Sequence, residues 1–238
     1  DRESMLAVNE YALKEFRHNL LETDAGRDLA LAYFRHRGIS DTMIERFRLG
    51  YSLDKGSAFV DAARMAGYKD KYLVDTGLAG VSERDGQKRL YDRFRGRVMF
   101  PVLSLSGRVI AFGGRTMRSD KTVAKYVNSP ESIIYHKSNE LYGLYQAKSA
   151  IARRDKCIMV EGYLDVISMH QAGVENVVAS SGTSLTEGQI RLLRRFTNNV
   201  TLVYDADPAG IKASLRGINM MLDEKLDVKV LLLPPGDD

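Results

Sequence analysis

Four short apolar runs, separated by helix-period stretches, constrain the second half of this chain more tightly than any other feature. The runs are Cys157-Ile158-Met159-Val160, Asn176-Val177-Val178-Ala179, Val200-Thr201-Leu202-Val203-Tyr204 and Val228-Lys229-Val230-Leu231-Leu232-Leu233. Tyr163 to Gln171 reads as the first intervening helix. Thr186 with Gln189 forms a capping box that opens the second, through Leu192, Leu193 and Phe196. Pro208 suits the first position of the third, which runs to about Leu222. Apolar strands joined by helical crossovers predict a mostly parallel sheet covered on both faces. Such sheets place ligands outside the carboxyl ends of their strands.

Those strand ends carry acids. The first run ends in Glu161-Gly162, the third in Asp205-Ala206-Asp207, and the fourth leads through Pro234-Pro235-Gly236 to Asp237-Asp238. Carboxylates gathered at one sheet edge repel one another unless a cation sits among them. Oxygen-only ligation suits Mg²⁺ or Mn²⁺, ions that polarise phosphoryl oxygens and align two of them. Each acid also has an ordinary alternative. Asp207 before Pro208 is a natural N-cap, Glu161 before Gly162 a turn acid, and Asp237 and Asp238 a solvated end. Their shared edge favours the cation site, because chance would scatter them over both edges.

The first third reads helical. Met5, Leu6, Val8, Tyr11, Ala12, Phe16 and Leu20 recur at helical spacing. Asp24 is placed to cap a helix through Leu29, Ala30, Tyr33 and Phe34, stopped by Gly38. Ser40 or Asp41 caps a short third helix, and Gly56 to Gly67 holds a fourth. Arg97 to Leu103 and Arg108 to Phe112, joined by the Ser104–Gly107 turn, form an antiparallel hairpin ended by Gly113-Gly114. This hairpin is expected to gather Arg95, Arg97, Arg108 and Arg115 on one surface. Tyr91, Phe94, Phe100 and Phe112 are expected in the core. No regular interleaving of aromatic and basic residues is visible. Ala147 to Lys156 reads as a helix leading into the alternating region.

The 238 residues suit one large domain or two modest ones, and 44% hydrophobic residues supply a core. No apolar run approaches the roughly 18 residues of a membrane span. No signal pattern opens the chain, and one cysteine excludes a disulfide framework and a cysteine-rich zinc site. The chain is therefore expected in a reducing cytoplasm. The net charge is +4, but Arg84 to Lys125 carries eleven basic and three acidic residues, whereas Thr201 to Asp238 carries seven acids and four bases. A basic middle and an acidic end suggest a polyanion partner beside a cation site, with ordinary solvated faces as the alternative. The four histidines are scattered without metal-ligand spacing. His136 beside Lys137 is a candidate phosphate contact.

The segments Val160-Glu161-Gly162-Tyr163-Leu164-Asp165, Ala179-Ser180-Ser181-Gly182-Thr183 and Tyr204-Asp205-Ala206-Asp207-Pro208-Ala209-Gly210 resemble the Toprim domain of topoisomerases and primases. Upstream, Arg93-Phe94-Arg95-Gly96-Arg97-Val98-Met99-Phe100-Pro101 resembles the basic hairpin of bacterial DnaG-type primases. So do Gly107 to Arg115, Lys125-Tyr126-Val127-Asn128-Ser129-Pro130-Glu131, and His136-Lys137 followed by Leu141-Tyr142-Gly143-Leu144. The resemblance covers nearly the whole chain in order. It implies an α/β protein in two parts. Residues 1–155 would form a mixed helix and hairpin (α+β) subdomain with a basic groove, and residues 156–238 a Toprim-like parallel-sheet subdomain.

The resemblance implies primer synthesis: an RNA polymerase that joins nucleoside triphosphates into a short RNA primer on a single-stranded DNA template during replication. Glu161 would be a metal ligand or general acid/base, and Asp205 and Asp207 metal ligands. Asp165 would belong to the same acidic cluster, and Asp238 would open the family's third acidic motif. Two or more Mg²⁺ or Mn²⁺ ions would complete the site. Arg37, Lys125, Asn128 and Lys137 would contact the nucleotide triphosphate. Arg93, Arg95, Arg97 and Arg115 would line the template groove. The family's zinc-binding domain and its helicase-binding domain have no counterpart in these residues, so the sequence is expected to be a core fragment of a primosome enzyme.

Two rivals remain. Strand-Asp-x-Asp resembles phosphatases with an aspartyl-phosphate at Asp205, but Ala209 stands where they need Thr or Val, and Glu161 and the hairpin go unexplained. A single-strand-binding module without catalysis would keep salt-dependent DNA binding and lose nothing when Glu161 or Asp205 is changed.

Overall fold

The computed structural model describes residues 1–182 and 184–234. The chain divides into two units, Asp1–Tyr135 and His136–Asp238. The division falls ahead of Lys156, where strands and helices begin to alternate. Among the described residues no helix is long and apolar enough to cross a membrane.

In the first unit, helix α1 (Arg2–Glu22) supplies one wall of the core. A π-helical turn at Gly26–Leu31 runs into α2 (Ala32–His36). The cap here is Thr23, whose Oγ1 accepts from the Gly26 N–H at 3.0 Å, and not Asp24, whose carboxylate pairs instead with Arg27. Helix α3 (Asp41–Arg46) is capped by the Ser40 hydroxyl. Strand β1 (Gly50–Tyr51), α4 (Ala58–Met65) and α5 (Asp70–Asp75) follow. Strands β2 (Ala79–Arg84) and β3 (Gln87–Asp92) form a separate hairpin. Strands β4 (Arg97–Leu103), β5 (Val109–Thr116) and β6 (Tyr126–Asn128) complete an antiparallel sheet in the order β1-β4-β5-β6.

Strand β5 does not end at Gly113-Gly114. Both glycines are paired to β4 on one side and β6 on the other, and this central position overrides their weak strand preference. Phe16 of α1 meets Phe112 of β5 edge-on at 5.3 Å, and Phe34 of α2 meets Phe100 of β4 at 6.1 Å. Each buried phenylalanine contributes about 1.5–3 kcal/mol. Tyr91 departs from the expected core. It is 45% exposed and lies across the opposing Gly80, where a Cβ would stand 2.2 Å from the ring. Asp92 is buried and caps α4 from a distance, accepting from the N–H groups of Phe59 and Val60 at 2.8 and 2.9 Å.

The second unit opens with a 3₁₀ turn at Lys137–Asn139 and α6 (Leu144–Arg154). Then come β7 (Cys157–Val160), α7 (Tyr163–Gln171), β8 (Val177–Ala179) and α8 (Glu187–Arg194). Strand β9 (Asn199–Asp205), α9 (Pro208–Asp223) and β10 (Asp227–Leu233) end it. The Thr186–Gln189 capping box is present. His170 is buried with Nε2 3.1 Å from the Val177 carbonyl, a satisfied core histidine. All strand pairs are parallel, in the order β10-β9-β7-β8. From β7 the chain goes to β8 on one side and then to β9 on the other. The topological switch point therefore lies at the carboxyl ends of β7 and β9, where open parallel sheets form their ligand crevice.

Candidate active site

Glu161 follows the last residue of β7, and Asp205 is the last residue of β9, so both acids stand at the switch point. The Asp205 backbone N–H donates to the Glu161 carboxylate. Asp207 caps α9, with Oδ1 accepting from the Gly210 N–H at 2.6 Å. A Cβ at Gly210 would stand 2.0 Å from the Asp205 carbonyl oxygen, so only glycine lets the first turn of α9 fold against the strand end. Asp165, in the first turn of α7, accepts from the Gly162 N–H at 3.2 Å and fixes the turn that presents Glu161.

Burial raises the Glu161 pKa, and the charges of Asp205, Asp165 and Asp207 raise it further, against the single N–H bond from Asp205. Behind it, burial and the Glu161 charge push the Tyr204 phenol up to about 12. Glu161 and Tyr204 line two cavities. One of about 300 Å³ also takes in Asp207 and Arg216, and one of about 280 Å³ takes in Asp165 and Asp205. Among the described residues no three acidic, histidine or cysteine side chains converge closely enough to ligate one ion. Asp238, expected in this cluster, lies outside the described residues, as does Asp237. The donors present are all oxygen, the set a hard divalent cation takes. A cation would also relieve the repulsion that raises Glu161.

The basic residues of the first unit are arranged differently from the expected single surface. Arg97 is opposite Thr116 in the β4–β5 ladder, and Arg115 is opposite Val98. Side chains alternate across a sheet, so this register puts Arg97 and Arg115 on opposite faces. Arg97 is 6% exposed and donates to the carbonyls of Gly114 and Lys125. Arg93 donates to the Asn128 carbonyl at 3.0 Å. Arg95 pairs with Asp54, and Arg108 with Glu3.

On the other face, Arg115 stacks on two tyrosines, 5.3 Å from the Tyr33 ring and 5.9 Å from the Tyr126 ring. Arg37 lies 5.3 Å from Tyr33, and Lys125 lies 5.9 Å from Tyr126. Arg37, Arg115 and Lys125 are thus joined in one series through Tyr33 and Tyr126, an interleaving of cations and rings that the sequence does not display. Only the i,i+4 spacing of Tyr33 and Arg37 could have signalled it. Asn128 pairs with Gly113 at the end of β6. Lys137 belongs to the second unit, in the 3₁₀ turn whose carbonyls accept from Gln189.

A family model described as the DNA primase catalytic core, N-terminal domain, matches residues 16–148, and a Toprim-like model matches residues 158–238. The chain belongs to the DNA primase catalytic core family. DNA primase of Halalkalibacterium halodurans is 40% identical over 238 residues, covering 100% of this chain and 39% of that protein. DNA primase of Deinococcus radiodurans is 41% identical over 232 residues, 97% of this chain and 39% of that protein. This primase-family chain therefore spans about two-fifths of the length of those relatives.

Among solved structures, a DnaG primase catalytic domain bound to single-stranded DNA matches 100% of this chain with a TM-score of 0.88 at 36% identity, over 73% of its own length. The zinc-binding and RNA polymerase domains of the Aquifex aeolicus primase match 100% of this chain at 0.86 and 34%, over 56% of that chain. The α/β architecture read from the sequence is that of the primase core.

Proposed function

We propose that this chain carries the catalytic core of a primer-synthesising RNA polymerase, which joins nucleoside triphosphates on a single-stranded DNA template. The observation that carries the reading is the placement of Glu161 and Asp205 at the switch point of a parallel sheet. Burial, and then the charges of its acidic neighbours, raise the Glu161 pKa there. The relative with single-stranded DNA bound supports the template assignment.

Glu161, Asp205 and Asp207 would hold the divalent cation, with Asp165 orienting the turn and Asp238 completing the set. The cation, Mg²⁺ or Mn²⁺, would supply charge neutralisation at the reacting phosphate. Burial and its acidic neighbours raise the Glu161 pKa, which suits it to accept the proton of an attacking hydroxyl. Arg37, Arg115 and Lys125 offer a cationic face for a triphosphate or a template backbone, to which Asn128 would add a polar contact; Lys137, in the second unit, would be a nucleotide contact by the family resemblance. Arg93 and Arg95 would extend that face along the template. Arg97 supports it from beneath. We assign residues 136–238 to the chemistry and residues 1–135 to nucleic-acid binding.

The test is primer synthesis by Glu161→Gln and Asp205→Asn in the complete protein, with single-strand binding measured alongside. The expected result is a loss of synthesis of at least about a hundredfold with binding nearly unchanged. Retained synthesis would leave the chain as a binding module.

A further inference from the structure

The assigned roles leave two polar groups of the second unit without a task. Tyr204 on β9 is 5% exposed, and its ring and hydroxyl have no part in the roles assigned above. Arg216 on α9 is solvent-exposed, and among the described residues it pairs with no carboxylate. Both line the 300 Å³ cavity that also holds Glu161, Asp207 and Ser184.

The helix is built to keep that cavity open. Ala209, Ala213 and Gly217 recur along the face that carries Arg216 and leave no side chain beyond a methyl in the space. A helical side chain leans toward the helix N-terminus, so Arg216 reaches back toward Asp207. The cavity therefore brings carboxylates, the Tyr204 phenol beside Glu161 and a guanidinium to one space. A phosphate fits that set of groups. Its oxygens would take the guanidinium fork and the phenol O–H, and a cation on the carboxylates would offset their repulsion.

We propose that Tyr204 and Arg216 form a phosphate subsite beside Glu161 and Asp207. The metal side of this arrangement rests on the function proposed above, whereas the Tyr204–Arg216 side does not. Two substrates of that reaction offer the same chemistry: the polyphosphate of a nucleotide and the backbone of the RNA strand being extended.

Calorimetric titration of the whole chain with inorganic pyrophosphate, and separately with a 5′-phosphorylated triribonucleotide, tests the subsite. Each probe is added with and without Mg²⁺, to wild type, Arg216→Gln and Tyr204→Phe. Arg216 is exposed and Tyr204→Phe keeps the ring, so Arg216→Gln remains informative even if the second variant folds poorly. The expected result is about tenfold weaker binding in Arg216→Gln and about threefold in Tyr204→Phe. A loss confined to pyrophosphate assigns the subsite to the polyphosphate, and one confined to the trinucleotide assigns it to the strand. Unchanged affinity for both probes in Arg216→Gln, or no binding of either probe by wild type, overturns the subsite. Losses in the variants without any Mg²⁺ dependence in wild type uphold the subsite and count against the metal reading. Mg²⁺ dependence with unaffected variants does the reverse.

Discussion

Arg97 and Arg115 stand one residue out of register across the β4–β5 ladder and so point to opposite faces of the sheet. One braces the fold and the other, half-buried, stacks on two tyrosines. Arg97→Ala strips the guanidinium from two backbone carbonyls inside the sheet. It is expected to cost about 2–3 kcal/mol in urea unfolding. Arg115→Ala is expected to cost less than about 1 kcal/mol, to weaken single-strand binding, and to reduce the slope of log affinity against log salt by about 1. Equal stability losses in the two variants would contradict the assignment.

Tyr33 holds Arg37 and Arg115 at once, each 5.3 Å from its ring. Its contribution is to position the two cations, and the ring rather than the hydroxyl supplies it. Tyr33→Leu is expected to weaken nucleotide binding about three- to tenfold, while Tyr33→Phe stays within about twofold of wild type. Fluorescence anisotropy with a labelled triphosphate measures both. A Phe variant as weak as the Leu variant would point to the hydroxyl instead.

The parts legible in the sequence were those with strong local signals. The runs at 157–160 and 200–204 became buried parallel strands, and Asp207-Pro208 opened α9 with the aspartate as its cap. The β2–β3 hairpin was not foreseen, because its Gln87–Asp92 strand is polar and mostly exposed, without apolar alternation. Asp92 looked like one charge in a basic run, yet it caps a helix that starts 34 residues earlier. Arg97 looked like surface for the same reason. The strand order placed Glu161 and Asp205 at the switch point, and strand order is set by tertiary pairing rather than local pattern. Tyr204 read as an ordinary apolar strand residue, since nothing local shows that it lines a cavity.

Glu140 carries a pH signature independent of the site. Burial pushes its carboxyl from 4.5 up to about 7. The folded-state pKa is raised, so its contribution to stability is full below the unfolded value and is lost as pH rises through about 7. Glu140→Gln removes the buried charge. The variant is expected to be more stable than wild type at pH 8 by about 1–3 kcal/mol and to show no gain at pH 4. Thermal unfolding at the two pH values decides it, and an equal shift at both would show that the carboxyl titrates normally.

Glu161 should respond to Asp205. The Asp205 charge is the largest electrostatic contribution raising the Glu161 pKa. Asp205→Asn is expected to lower the Glu161 midpoint while leaving the fold intact. Carbon-detected NMR of the labelled glutamate carboxyl reads this directly. An unmoved midpoint would mean that burial alone sets it.

The central claim is that the acids at the ends of β7 and β9 hold a divalent cation. Anomalous scattering from crystals soaked in manganese tests this most directly, because it reports the ion's position without needing turnover. The account predicts a peak at the β7–β9 edge, within ligating distance of Glu161 and Asp205. Ordered Glu161, Asp205 and Asp207 side chains with no peak beside them, at millimolar manganese, would contradict it.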